Sequence, residues 1–124
     1  MKRLFVLMIL FLSVSCQQPP ERDCSAFRTG TFETFFINNG DTLTATIERN
    51  EEREIEFFSN KRDTASVRWI NGCEYILKNL RPKNRDEEKA VHIKILTTTD
   101  SSYTFEFSTV GSSKKLKGTA FKRN

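Results

Sequence analysis

The chain has 124 residues, 37% hydrophobic and 29% charged, which is the length of one domain and too apolar a composition for a disordered chain. Its formal charge of +4 includes Lys2 and Arg3, which lie in a segment expected to be removed. Without them eighteen basic residues face sixteen acidic ones, too slight an excess to argue for nucleic acid as a partner. Eleven Phe beside five Gly and three Pro suit strands around a compact core better than long surface helices.

The N-terminus is read first. Met1-Lys2-Arg3 is a basic start, and Leu4 to Leu12 is an unbroken apolar run. Nine residues make about 14 Å of helix, well short of the roughly 30 Å hydrocarbon core, so the run reads as a secretory signal rather than a mature anchor. Small residues Ser13, Val14 and Ser15 then lead to Cys16. This resembles the lipobox of bacterial lipoproteins, in which the cysteine is lipidated and becomes the new N-terminus. That pattern prefers Leu three residues before the cysteine; here Ser13 holds the place, with Leu12 one further back. The other reading is an ordinary signal peptide with an incidental cysteine. The resemblance implies cleavage of residues 1–15 and acyl chains on Cys16, which together make a firm anchor where one chain alone is marginal. Residues 16–26 are then the lipidated cysteine and a polar tether, extended around Pro19-Pro20. Gln17 resembles an outer-membrane sorting residue, which implies the envelope of a Gram-negative bacterium.

Setting Cys16 aside leaves Cys24 and Cys73, an even pair in an exported, oxidising setting. A bridge between them would close a loop of about fifty residues, worth roughly 4 kcal/mol by chain entropy. Two free buried thiols are the alternative.

From residue 27 to 124 the periodicity is two nearly throughout. Strands are expected near 28–37, 42–49, 53–59, 64–70, 73–79, 91–98, 102–110 and 114–122. Only the stretch from Pro82 to Ala90 breaks the rhythm, as a charged loop or one short helix. A two-residue Asn39-Gly40 loop would pair Phe36 with Leu43, Thr34 with Ala45 and Phe32 with Ile47, gathering apolar residues on one face. The same loop at Asn71-Gly72 would set Trp69 against Glu74. A three-residue turn, Ile70-Asn71-Gly72 with Gly72 left-handed, instead pairs Trp69 with Cys73, Val67 with Tyr75 and Arg68 with Glu74. Trp69 would then pack on the disulfide as the anchor of the core. A Gly111-Ser112 loop would pair Phe107 with Leu116, Phe105 with Gly118 and Tyr103 with Ala120, the glycine making room for the Phe105 ring.

These elements predict an all-β domain: an antiparallel up-and-down meander of about eight strands, closed into a small barrel or strongly bent. Closure would remove sheet edges. The inner face would carry Phe32, Phe36, Ile47, Phe57, Trp69, Tyr75, Phe105 and Phe107, ring volume that favours a packed interior over a ligand cavity. The run from Cys24 to Phe32, the segment Val67 to Tyr75 and Thr104-Phe105-Glu106-Phe107 resemble a family of small lipoproteins from flavobacteria and their relatives. That family carries no established activity. The topoisomerase IV label borne by some members has no support in so small an exported chain without a strand-cleavage site. In outline the chain is also similar to lipocalin-like barrels, with Gly30 and Phe32 on the first strand, a likeness of fold only.

The sequence argues against catalysis. His92 is the sole histidine and alternates with Val91 and Ile93, so it is expected on the polar face. No nucleophile elbow, phosphate-binding glycine loop or zinc spacing is present, and neither metal nor other cofactor is expected. Glu48, Glu51, Glu52, Glu54 and Glu56, interspersed with Arg49 and Arg53, read as a solvated strand face. The basic residues Lys114, Lys115, Lys117, Lys122 and Arg123 read as strand protection or as contacts to anionic headgroups. The expected role is a membrane-anchored envelope lipoprotein acting as a non-catalytic binding or accessory module. The alternatives are a lipocalin-like carrier of a small apolar ligand, or an inhibitor or partner of an envelope protein.

Overall fold

The computed structural model describes residues 22–124, so Cys16, the segment 1–15 and the first part of the expected tether lie outside it. Eight antiparallel strands follow one another: β1 (Gly30–Asn38), β2 (Asp41–Arg49), β3 (Arg53–Phe58), β4 (Lys61–Asn71), β5 (Glu74–Asn79), β6 (Val91–Thr98), β7 (Ser102–Thr109) and β8 (Leu116–Lys122). Each pairs with the next, and β8 returns to β1 with Phe36 opposite Gly118 and Phe32 opposite Lys122, so the sheet is a closed barrel. Closure uses the ladder groups that an open meander would leave bare at its two edges. The only helical pieces among the described residues are short. They are a 3-10 turn at Cys24–Phe27 and one turn at Arg85–Glu88, the latter capped by the Asn84 side chain, which accepts from the Glu87 N–H at 2.9 Å.

Two hairpins have the expected registers. Across the Asn39-Gly40 turn Phe36 pairs with Leu43, Thr34 with Ala45 and Phe32 with Ile47. Both turn residues have positive φ, 51° and 82°, the signature of the mirror-image turn that matches strand twist. Between β7 and β8, Phe107 pairs with Leu116, Phe105 with Gly118 and Tyr103 with Ala120.

The β4–β5 hairpin differs from expectation. Trp69 pairs with Tyr75 and Val67 with Leu77, Arg68 meets Ile76 rather than Glu74, and the irregularity falls between Trp69 and Asn71. Gly72 is not among the residues with positive φ. Instead the Asn71 side chain accepts from the Cys73 N–H at 2.9 Å and tightens the turn itself. The shift is by two residues, so faces are preserved while partners change. Cys73 thereby has no partner on β4, keeps a bond from the Ile95 N–H of β6 and reaches Cys24 with its side chain.

Strand β3 departs more deeply. Phe57 is 39% exposed, while Glu54 is 3% exposed and points inward. The β2–β3 connection decides this: Asn50 accepts from the N–H groups of Glu52 and Arg53, which sets Arg49 opposite Glu54 and Ile47 opposite Glu56. With Ile47 and Arg49 facing in, Glu54 and Glu56 must face in as well, and Ile55 and Phe57 turn outward.

The interior is built of rings. Phe32, Tyr75, Tyr103 and Ile95 are fully buried, and Phe27 of the 3-10 turn joins them, its ring 5.2 Å from that of Tyr103. The start of β1 and the ends of β2, β4, β6 and β8 lie at one end of the barrel, beside the entry of the chain. At the other end Phe36 and Phe107 are half-buried and meet edge to face at 5.5 Å. A methyl group at Gly118 would sit 2.6 Å from Phe105 Cζ and 2.8 Å from the Phe35 carbonyl oxygen. Gly118→Ala should therefore cost about 1–3 kcal/mol through overpacking at the β8–β1 seam. A lowered urea midpoint at unchanged slope would show it.

Candidate functional site

The disulfide expected from cysteine parity is present: Cys24 and Cys73 are bonded, with Cα atoms 5.3 Å apart across 49 residues of sequence. Cys24 is buried and Cys73 half-buried in the β4–β5 turn. The bond draws the 3-10 turn over the chain-entry end of the barrel. Further contacts hold the same segment down. Arg22 Nη1 donates to the Ile95 carbonyl at 2.8 Å, the Asp23 N–H donates to Thr98 Oγ1 at 2.9 Å, and Lys122 Nζ donates to the Ala26 carbonyl at 2.7 Å.

Beneath this plug lies Arg49, 4% exposed. A guanidinium has five N–H donors in a rigid plane, and each finds an acceptor. Nε donates to the Arg28 carbonyl at 3.1 Å. Nη1 donates to Glu54 Oε1 and to the Tyr75 hydroxyl, both at 2.8 Å. Nη2 donates to the Phe27 carbonyl at 2.6 Å and to the Tyr103 hydroxyl at 3.1 Å. The faces of the group are covered by the Phe32 ring at 4.6 Å and the Tyr75 ring at 4.9 Å. Burial alone would lower the Arg49 pKa, but the Tyr75 and Tyr103 oxygens and the Glu54 carboxylate outweigh it and hold the group charged. Burial pushes the Glu54 carboxyl up, and Arg49 pulls against that without reversing it. Burial also lifts the Tyr75 hydroxyl well above its ordinary value of 10.0.

Every donor of Arg49 is taken by the protein, so it can hold the fold but cannot also orient a substrate. The sequence placed Arg49 and Glu54 on a solvated face, and the structure overturns that. The missed signal lay in the first hairpin: a register pairing Phe32 with Ile47 also sets Arg49 inward opposite Gly30.

Trp69, expected as the core anchor, is half-buried. Its ring lies 4.5 Å from that of Tyr75 and beneath the Arg28 guanidinium at 4.6 Å, while its buried Nε1 donates to no protein acceptor. His92 Nε2 lies 3.0 Å from Glu74 Oε2 on the outer face, with Ser108 opposite it on β7. A cleft of about 200 Å³ at the far end is lined by Glu54, Glu56, Asp63, Asp86 and Glu87 with Lys89. Burial, then Glu54 and Asp63, raise the Glu56 carboxyl. Among the described residues no group of three or more His, Cys, Asp and Glu is placed to hold a metal ion. The basic residues near the C-terminus are divided, with Lys114, Lys115 and Lys117 at the far end of β8 and Lys122 and Arg123 at the chain-entry end. Neither family models, curated proteins nor solved structures give a match to this chain.

Arg49→Met should cost about 3–5 kcal/mol, because it strands the buried Glu54 charge. Adding Glu54→Leu should recover part of that loss in a double-mutant cycle by chemical denaturation. Folding stability should also fall above about pH 10. There the unfolded Tyr75 releases its proton while the folded one, its pKa raised, keeps it, at up to about 1.4 kcal/mol per pH unit. Tyr75→Phe should remove one proton's worth of that alkaline slope, read from urea midpoints against pH.

Proposed function

We propose that this protein is a membrane-anchored, non-catalytic binding or accessory module of the bacterial cell envelope, exported by residues 1–15 and held by lipid on Cys16. The supporting observation is the way the interior is filled at the chain-entry end. Arg49, its partners and the disulfide-tied plug occupy the space that a carrier of a small apolar ligand would need. Recognition then falls to the outer surface, toward the membrane or an envelope protein. A disulfide between Cys24 and Cys73 is consistent with export, since such bonds persist in oxidising compartments. The fixed attachment of Arg22 and Asp23 to β6 suits a barrel held on a short lead rather than swinging freely.

Cys16→Ala should abolish palmitate incorporation and release the protein from the membrane fraction. Continued labelling would refute the anchor. Mass spectrometry of lipids and proteins recovered with the wild-type protein from envelope extract should give an envelope protein or membrane lipid in excess, and a stoichiometric small apolar ligand inside the barrel would favour the carrier reading instead.

A further inference from the structure

The wall formed by β7, β8 and β1 carries exposed apolar side chains beside charged ones. Outward positions on β1, β8 and β7 include Phe35, Ile37, Thr119, Phe121 and Thr104, of which Ile37 is 62% and Phe121 39% exposed. Phe35 and Phe121 meet edge to face at 5.8 Å, so the rings form a small platform on the wall rather than isolated side chains. Across it runs a groove of about 670 Å³ lined by Phe35, Ile37, Leu96, Thr97, Thr104 and Thr119, among others.

Two further features of this wall bear on what covers it. The first is charge. Lys94 and Lys117 stand opposite Glu106 on the neighbouring strands, Lys115 Nζ lies 3.4 Å from it, and Lys114 precedes Lys115. Three lysines therefore face one carboxylate at the rim of the apolar platform, with Lys114 next to Lys115 in sequence. The carboxylate on the platform's other side, Glu33, is already paired with Arg123. The second is the exit of the chain. Arg22 and Asp23 are bonded to Ile95 and Thr98, and the two residues between those, Leu96 and Thr97, line the groove. From Arg22 back to Cys16 there are six steps, a reach of at most about 20 Å.

We propose that the β7–β8–β1 wall, centred on Phe35, Ile37 and Phe121, is the face the barrel lays on an anionic lipid surface. Apolar and aromatic groups enter the interface while the rim lysines meet phosphate headgroups, the division seen in interfacially bound protein faces. The tether argument rests on the lipid-anchor reading above; the charge and ring arrangement does not.

The test uses full-chain protein carrying an environment-sensitive fluorophore at Ile37→Cys, at Phe121→Cys or, on the opposite wall, at Arg68→Cys. It is mixed with preformed vesicles of phosphatidylglycerol and phosphatidylcholine containing a lipid-borne quencher. Labels at 37 and 121 should be quenched and blue-shifted, and the label at 68 should not. Lys114→Gln with Lys117→Gln should lower the docked-to-free ratio about 25-fold, roughly fivefold for each cation lost. Equal quenching at all three positions, or at none, overturns the proposal. So does quenching indifferent to the lysines and to replacement of phosphatidylglycerol by phosphatidylcholine, or protection of the two labels in a dimer without vesicles. The two readings fail separately. Loss of the anchor alone leaves quenching without palmitate incorporation, and loss of the docking face alone leaves palmitate incorporation without quenching.

Discussion

A guanidinium withdrawn from water must be given an acceptor for each of its five N–H groups, and the demand of Arg49 for those five shapes most of this barrel. Two acceptors are the Phe27 and Arg28 carbonyls, which requires the segment before β1 to fold back over the barrel end. Two are phenolic hydroxyls, which fixes how Tyr75 and Tyr103 cross the interior. The fifth is Glu54, and meeting it turns β3 over so that carboxylates face inward. The hydrophobic effect fills the middle of this barrel, while one buried cation specifies its closed end. Such a cation is costly when any one partner is removed, and replacing the whole set with apolar groups is often neutral. Its value here lies in fixing which segments meet.

Much of the fold was legible in the sequence because turn chemistry and alternation agree along most of the chain. Asn39-Gly40 sits between runs whose apolar residues align only in one register, and Gly118 stands where Phe105 needs space. The number and order of strands, the position of the charged interruption and the pairing of Cys24 with Cys73 followed from patterns of this kind. Failures came where a polar side chain overrode the pattern. At Asn71 a side-chain acceptor tightened the turn and moved the register by two. At β3 the apolar residues Ile55 and Phe57 suggested the wrong face, because alternation alone cannot tell an inward glutamate with a buried partner from an outward one. The candidate site was less legible than the fold for the same reason. Arg49 acquires meaning only when residues far apart in sequence, Phe27, Glu54, Tyr75 and Tyr103, arrive around it.

The two surfaces of the sheet therefore carry unequal information. Inside, the polar network around Arg49 gives each of its donors an acceptor at the chain-entry end. Outside, the Phe35–Phe121 platform and its rim of lysines have no counterpart needed for folding, since a barrel is already complete without exposed rings on its wall. Surface residues that the fold does not require are where recognition is most economically sought.

The disulfide has a mechanical meaning as well. Tension applied through the residues before Cys24 reaches the covalent bond to Cys73 before it reaches β1. From Cys73 it passes into the β4–β5 turn, on the side of the barrel away from the β8–β1 seam. Without that bond the same pull would act on Gly30 at the start of β1 and peel the strand away one hydrogen bond at a time. With it, force is delivered to a closed hairpin within a continuous ladder, which must yield as a block. The cross-link thus lets a pull on the residues before Cys24 bypass the first strand.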